Sequence, residues 1–185
     1  MDGAAGNGHL SVLEWLYANR SEGCTQWAMD KAAGNGHLPV VEWLHVNRSD
    51  DGCTASAMDL AATGGHLKMV KWLHINRSEG CTTNAMDGAA AKGYLSVVEW
   101  LHTHRSEGCT TRAMDGASEG GYLSVLRWLH AHRSEGCTLK AIEQAEKNGF
   151  RSVQKWLLDN NTGSGLLQGR RMSLRLLYKQ QHSLR

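Results

Sequence analysis

The chain has 185 residues, of which 41% are hydrophobic and 21% are charged, the composition of an ordinary globular protein. The formal net charge is +2, but the part up to residue 161 carries 15 basic and 18 acidic residues and the remainder five basic ones. This mildly acidic body lacks the basic patch typical of nucleic-acid binding, and no apolar run approaches the roughly 18 residues of a transmembrane helix.

The chain is built from an internal repeat of about 28 residues. One tryptophan per repeat marks it, at Trp15, Trp43, Trp72, Trp100, Trp128 and Trp156. A single step is one residue longer, through an insertion at residues 49–52. Because insertions are tolerated in surface loops, we predict a loop at this place in every repeat. Self-similarity at a fixed period predicts stacked units that bury each other's apolar faces.

Each complete repeat is predicted to contain two short helices. The chain begins part-way through a repeat, because Met1-Asp2 aligns with Met29-Asp30. The first helix starts after a threonine, a good N-cap residue, at Thr25, Thr54, Thr82, Thr110 or Thr138. It stops at a glycine suited to the left-handed position after a helix, at Gly8, Gly36, Gly65, Gly93, Gly121 or Gly149.

The second helix follows at once, as in Leu95 to Arg105. Pro39 stands in its first turn, where proline costs no hydrogen bond. Its apolar face is wide, so we predict that neighbouring repeats cover it on both sides and that the tryptophan and leucine columns fill the space between repeats. No segment alternates with a period of two, so we predict no strand.

The end of the chain departs from the pattern. Arg151 and Gln154 replace apolar residues of the repeat and Glu146 replaces a small one, so residues 137–161 are predicted to be a C-terminal cap. Residues 162–185 leave the repeat and are predicted to be a basic, flexible tail. The alternative is a short basic amphipathic helix that contacts an acidic partner or a membrane surface.

The string Ala32-Ala33-Gly34-Asn35-Gly36-His37-Leu38-Pro39-Val40-Val41 resembles the ankyrin repeat segment Ala-Ala-x-x-Gly-His-Leu-x-Val-Val. The match recurs through residues 1–160. It implies an all-α solenoid of stacked helix-turn-helix repeats over residues 1–161. The repeat is about five residues shorter than the usual 33, so we expect short loops and little or no β-hairpin.

Several polar residues recur once per repeat. Their types suggest metal binding or catalysis, but their spacing excludes a shared site. One histidine per repeat (His45, His74, His102, His130) cannot surround one zinc ion, so we predict no metal site and assign these residues to the ends of the second helices, where cations suit the helix dipole. One aspartate per repeat also recurs, at Asp2, Asp30, Asp59, Asp87 and Asp115. These side chains are predicted either to bond the neighbouring repeat or to be exposed to solvent. No phosphate loop or nucleophile motif is present, so we predict no enzyme activity and no cofactor.

The cysteines (Cys24, Cys53, Cys81, Cys109, Cys137) also recur once per repeat. Equivalent residues of stacked helices lie roughly 8–10 Å apart, which is too far for a disulfide. We therefore expect reduced, buried thiols in a cytoplasmic or nuclear protein. No signal peptide is recognisable at Met1-Asp2-Gly3, which has neither a basic start nor an apolar core.

Function is predicted to lie in the positions that vary between repeats, since the fixed columns build the stack. By resemblance to ankyrin arrays, first helices line a concave binding face. The residues we expect to bind a protein partner are Gln26, Trp27, Lys31, Ser56, Leu60, Asn84, Arg112 and Lys140. We predict a monomeric protein–protein interaction scaffold with no small-molecule substrate. The alternatives are a purely structural fragment of a longer array and an adaptor whose basic tail contacts an acidic surface.

Overall fold

The computed structural model of the protein describes residues 1–48 and 52–160. These residues form α-helices joined by short loops, and no strand occurs among them. The helices are α1 (Asp2–Gly6), α2 (Leu10–Asn19), α3 (Gln26–Gly34), α4 (Leu38–Asn47), α5 (Ala55–Thr63), α6 (Leu67–Asn76), α7 (Thr83–Ala91), α8 (Leu95–His104), α9 (Thr111–Glu119), α10 (Leu123–His132), α11 (Leu139–Lys147) and α12 (Arg151–Asn160). The predicted all-α solenoid of helix-turn-helix repeats is confirmed.

Threonine and glycine set the limits of the first helices as predicted. The hydroxyl oxygen of Thr82 accepts a hydrogen bond at 3.1 Å from the backbone N–H of Asn84, which supplies a partner for one otherwise orphan donor. At the other end of α7, Gly93 has a φ of 80°, a conformation that costs a residue with a Cβ. The backbone N–H of Tyr94 then bonds Ala89 and closes the helix.

The second helix is one residue shorter than predicted. Arg105 lies outside α8, with an extended backbone at φ −128° and ψ 151°, although its N–H still bonds the carbonyl of Leu101 at 2.8 Å. The extended backbone carries Arg105 into the loop, where its guanidinium binds Glu107. Helices α2, α6 and α10 end in the same way, before an extended Arg20, Arg77 and Arg133.

Small residues allow the first helices to stack closely. The series α1, α3, α5, α7, α9 and α11 packs helix on helix, and each second helix packs against the first helix of its own repeat. Two alanines per middle repeat, such as Ala89 and Ala90, are fully buried at these contacts. In the second helices from α4 onward the leucine column and its valine, methionine or leucine neighbours are buried, as with Leu101 and Val98, whereas in α2 Leu16 is half-buried and Val12 is exposed.

The tryptophan column fills the space between repeats less completely than predicted. Trp43, Trp72, Trp100, Trp128 and Trp156 are partly buried, and Trp15 is 57% exposed. The five partly buried indoles pack against the core, and each also meets a histidine or tyrosine ring of the preceding repeat. The tryptophan and leucine columns therefore lie between repeats as predicted, although the indoles are only partly buried.

The last described repeat, α11 and α12, keeps the same architecture. Gln154 stands where Val98 and Leu126 stand in earlier repeats and is buried like them, whereas Glu146 and Arg151 are exposed. The cap at residues 137–161 stays a prediction. The predicted tail, residues 162–185, and Asn161 lie outside the described residues.

Candidate partner-binding groove

Five consecutive first helices, α3 to α11, form one groove. It encloses about 990 Å³. Its walls are Trp27, Ser56, Asp59, Leu60, Thr63, Asn84, Asp87, Gly88, Ala91, Arg112, Asp115, Gly116, Glu119, Lys140, Glu143 and Gln144. Because equivalent positions of successive helices line it, each repeat contributes a short strip of the surface.

The structure brings together six of the eight residues that we singled out in the sequence. Trp27, Ser56, Leu60, Asn84, Arg112 and Lys140 line the groove, and Gln26 and Lys31 do not. Lys31 instead places its Nζ 4.9 Å from the ring centroid of Trp27, a cation–π contact between residues one helical turn apart. Trp27 itself is 53% exposed, so its indole presents a large surface to a partner.

The floor of the groove is formed by small residues. A Cβ added at Gly116 would lie 2.5 Å from the Cβ of Ala91, and one at Gly88 would overlap the hydroxyl of Thr63. A side chain at Gly88 or Gly116 would therefore collide with the preceding first helix, α5 or α7 respectively. Gly88 and Gly116 occupy the positions equivalent to Lys31 and Leu60, and the sequence analysis did not predict these contacts.

The aspartates of the column bind the neighbouring repeat, and Asp59, Asp87 and Asp115 also line the groove. Asp87 accepts hydrogen bonds from the backbone N–H of Thr110 at 2.8 Å and from its hydroxyl at 2.7 Å. The same pair of bonds joins Asp2 to Thr25, Asp30 to Thr54, Asp59 to Thr82 and Asp115 to Thr138. Of the two alternatives left by the sequence, bonds between repeats are therefore present at all five seams.

Arg112 and Lys140 supply the cations of the groove. Both are exposed, and within residues 1–48 and 52–160 neither side chain has an ion-pair partner. Arginines of the loops behave differently, because Arg77, Arg105 and Arg133 bind Glu79, Glu107 and Glu135 respectively. These guanidiniums also hold the pKa of their glutamates below the usual range.

The histidine column has a role that the sequence analysis missed. His102 lies edge-on to Trp128 of the next repeat, with ring centroids 5.1 Å apart and planes at 85°. Equivalent pairs are Tyr17–Trp43, His45–Trp72, His74–Trp100 and His130–Trp156, all with centroids 5.2–5.4 Å apart. The assignment to the helix dipole was therefore incomplete, and the signal that pointed to this contact was two ring-bearing columns with one shared period.

The described residues hold no group of three or more histidine, cysteine or acidic side chains that could bind a metal ion. Among the helices of residues 1–48 and 52–160, none combines the length and the apolar character needed to cross a membrane. The five cysteines, all within the described residues, form no disulfide, and Cys53, Cys109 and Cys137 are buried. Burial, the largest effect, raises the pKa of Cys53 to about 12 and that of Cys109 to about 11.

Comparison with known families supports the same interpretation of the repeat. The family model described as ankyrin repeats (many copies) matches residues 1–45, 29–74 and 61–102. These matches overlap and together cover more than half of the chain. No curated protein matches the chain significantly.

Proposed function

The chain belongs to the ankyrin repeat family, and we propose on this basis that it is a non-catalytic scaffold that binds a protein partner in the groove of its first helices. Ankyrin repeats generally mediate protein–protein interactions. In this proposal Trp27 and Arg112 are the main anchors, since tryptophan and arginine are favoured at the centres of protein interfaces. In this proposal Ser56, Leu60, Asn84 and Lys140 make supporting contacts from the groove walls, and Gln26 and Lys31 contribute from outside these walls.

The observation that carries the proposal is the position of the variable side chains. Residues that differ between repeats, such as Trp27, Asn84 and Arg112, line one continuous groove, while the repeated residues form the core and the bonds between repeats. A surface whose composition is free of structural constraint can be adapted to a partner. Lys31 contributes indirectly, through its contact with the Trp27 ring.

A preformed backbone favours binding, because little conformational entropy is lost when the partner binds. The first residues of α5, α7, α9 and α11 are each fixed by a threonine cap, and that threonine is itself held by an aspartate of the preceding repeat. The groove side chains in these first turns therefore stand on a preformed backbone. Preorganisation of this kind reduces the entropic cost of association.

The proposal also covers the cellular compartment, the oligomeric state and the bounds of the array. The five cysteines, none of which forms a disulfide in the described residues, favour a reducing compartment, the cytoplasm or the nucleus, where thiols stay reduced. We further propose a monomer that needs no cofactor, with residues 1–161 as the array and residues 162–185 as its tail.

The experiment is a selection of displayed random peptides on the immobilised full chain, followed by affinity measurements on the enriched peptides. The chain offers a matched pair of tryptophans, since Trp27 in the groove is 53% exposed and Trp15 on the outer side is 57% exposed. Trp27→Ala is expected to weaken binding about tenfold or more, the effect of losing an interface anchor. Trp15→Ala should leave the affinity unchanged.

Equal losses in the two variants, or a loss at Trp15 alone, would place binding outside the groove and contradict the proposal. The same conclusion follows if no peptide is enriched over a blank surface. Both variants replace exposed rings, so thermal unfolding followed by circular dichroism is expected to give nearly equal midpoints for them and for the unsubstituted chain.

A further inference from the structure

One face of the first helices is left uncovered by the rest of the described chain. In residues 1–48 and 52–160 each second helix packs against its first helix without entering the groove walls, which consist of first-helix residues alone. Trp27 and Leu60 are 53% and 37% exposed on this face. Exposed apolar side chains that border a groove mark a surface that another chain segment can cover.

The walls of the groove are negatively charged. They carry two cations, Arg112 and Lys140, against five carboxylates, namely Asp59, Asp87, Asp115, Glu119 and Glu143. The threonines that bond the three aspartates are neutral donors, so they leave the charge of the carboxylates in place. Glu119 and Glu143 are exposed. A surface of this charge attracts a positively charged occupant.

The tail has the complementary composition. Residues 162–185, which lie outside the described residues, contain five cations and no acidic residue. The cations are Arg170, Arg171, Arg175, Lys179 and Arg185. The apolar residues among them are Leu166, Leu167, Met172, Leu174, Leu176, Leu177, Tyr178 and Leu184. One segment thus offers charges for the carboxylates and apolar side chains for the neighbourhood of Trp27 and Leu60.

The tail is long enough to reach every part of the groove. α12 ends at Asn160 and packs against α11, whose residues form the nearest wall. An interaxial distance of roughly 10 Å and a helix radius of roughly 5 Å place that wall about 15 Å from the axis of α12. Trp27 lies four first helices further on, about 40 Å away at the same spacing. An extended chain rises about 3.3 Å per residue, so about five residues reach the near wall and about 17 reach Trp27.

The covalent connection favours the tail over a separate basic chain. Gly163-Ser164-Gly165 is typical of a flexible linker, and a segment joined by such a linker has an effective concentration of about the millimolar range at its own groove. A separate basic protein would have to exceed that concentration to compete at equal affinity. Weak contacts between exposed charges are then enough to fill the groove for much of the time.

From the charge of the walls and the composition and reach of the tail, we infer that the tail binds the groove of its own chain. Its arginines and Lys179 lie against the carboxylates of the walls, and its leucines cover Trp27 and Leu60. Long cationic side chains reach the carboxylates from a backbone that lies across the walls, so the close contacts at Gly88 and Gly116 stay as they are. The inference rests on the proposed function for the role of the groove, and it adds that a partner must displace the tail.

Zero-length cross-linking of the full chain tests the contact. A carbodiimide joins an amine to a carboxylate where the two groups touch, and Lys179 supplies one amine of the tail. Arg171→Lys adds a second amine without changing the charge. Mass spectrometry is expected to find either amine joined to a carboxylate of α9 or α11, at Asp115, Glu119 or Glu143. The yield should fall in about 0.5 M NaCl, where charges are screened beyond a few ångströms.

Several cross-linking results would overturn the inference. Equal yields at Glu42 and Glu99, exposed carboxylates on α4 and α8, would mean that the tail meets every acidic surface alike. Products at Glu146 alone, which is exposed on α11 but does not line the groove, would place the tail on the end of the array. In a mixture of isotope-labelled and unlabelled chains, products that join the two kinds of chain would assign the tail to the groove of a second copy. The absence of any product would remove the contact altogether.

Neutralising the tail tests the effect on binding. The variant that combines Arg170→Gln, Arg171→Gln, Arg175→Gln and Lys179→Gln should bind the selected peptides about threefold more tightly, the gain expected if the tail fills the groove about two thirds of the time. A matched control makes the same change in net charge at four exposed cations of the second helices, and its affinity should stay unchanged. It combines Lys68→Gln, Lys71→Gln, Arg127→Gln and Lys155→Gln.

The two proposals fail in different ways. An affinity that does not change in the tail variant, or that rises equally in the control, would mean that the tail does not occupy the groove. The proposed function would still stand, provided that the peptides remain sensitive to Trp27→Ala. If no peptide is enriched, the proposed function fails, and the cross-links alone decide whether the tail binds the groove.

Discussion

Asp87 binds Thr110 of the next repeat through both of its carboxylate oxygens, one to the backbone N–H at 2.8 Å and one to the hydroxyl at 2.7 Å. The same hydroxyl oxygen accepts a hydrogen bond from the backbone N–H of Arg112 and so caps α9. One carboxylate thus fixes the residue that starts the following helix. The contact couples the stacking of two repeats to the position of a groove side chain.

We predict that Asp87→Ala lowers the free energy of unfolding by about 1–3 kcal/mol, because the substitution removes two bonds to a charged group and leaves the N–H of Thr110 without its acceptor. Urea unfolding followed by circular dichroism measures the change. Glu99→Ala is the control, since Glu99 is an exposed carboxylate on α8 of the same repeat and should cost less than about 0.5 kcal/mol. Equal effects of the two substitutions would mean that the carboxylate contributes only its charge.

A second prediction concerns the glycines that end the first helices. Gly93 has a φ of 80°, and a Cβ there would lie 2.5 Å from the ring of Tyr122 in the next repeat. Gly93→Ala would force alanine into a left-handed backbone and bring its Cβ into collision with the Tyr122 ring. We therefore expect the free energy of unfolding to fall by about 2–4 kcal/mol. Gly149 has a φ of 76°, and a Cβ there would meet no atom within 4 Å, so Gly149→Ala isolates the backbone effect at about 1 kcal/mol.

Gly3→Ala completes this series. Gly3 lies in α1 with a helical backbone and open space around it, so alanine should be neutral or slightly stabilising, as is usual for glycine in a helix. Chemical denaturation of the three variants tests the order. If Gly93→Ala cost no more than Gly149→Ala, the tyrosine ring would move aside freely and would not contribute to the seam.

Local sequence signals were sufficient for the fold. Thr82 and Gly93 predict the start and end of α7 because N-caps and left-handed glycines act through the backbone of their own helix. The early end of α8 was not predicted, because the change of Arg105 to an extended backbone leaves no mark on the apolar periodicity of the helix. The ion pair between Arg105 and Glu107 in the loop has no such periodicity either.

The sequence did not show which residues of neighbouring repeats contact each other. A fixed period shows that the rings of His102 and Trp128 recur, but it gives no angle between neighbouring repeats and so cannot say which columns meet. The sequence predicted part of the groove, because residues that differ between repeats in the first turn of the first helices are also exposed. Lys31 escaped this reasoning because its long side chain returns one helical turn to cover Trp27.

The loop ion pairs predict a loss of stability in acid. Burial alone would raise the pKa of Glu79, but hydrogen bonds from Arg77 and from backbone N–H groups, with the guanidinium charge, lower it to about 2. A carboxylate with a lowered pKa stabilises the folded state above its unfolded pKa, and this contribution is lost as the pH falls from about 4.5 towards 2.

We expect Glu79→Gln to remove of order 1 kcal/mol at pH 7, since the pair is partly exposed and screened, and to flatten the acid limb of the stability curve. Urea midpoints measured between pH 2 and pH 7 give this curve. Glu99→Gln, which changes an exposed carboxylate, should leave the limb unchanged. An unaltered limb in Glu79→Gln would show that other carboxylates govern unfolding in acid.

The cysteines predict the opposite behaviour in alkali. Burial is the main cause that raises the pKa of Cys53 to about 12 and those of Cys81 and Cys109 to about 11, from an ordinary value of 9.0. A thiol of the folded chain therefore keeps its proton in a pH range where the unfolded chain loses it. The stabilisation is complete below pH 9 and is lost as the pH rises through the folded values.

Each of these thiols should lower the free energy of unfolding by up to about 1.4 kcal/mol per pH unit between roughly pH 9 and pH 11. Replacing Cys53, Cys81 and Cys109 by alanine removes the titrating groups, so the variant should lose stability less steeply over this interval even if it starts lower. At pH 8.5 iodoacetamide, which reacts with the thiolate, should modify the folded chain far more slowly than the chain in urea. Parallel pH curves for the variant and the unsubstituted chain, together with equal alkylation rates, would mean that these thiols ionise as freely in the array as in water.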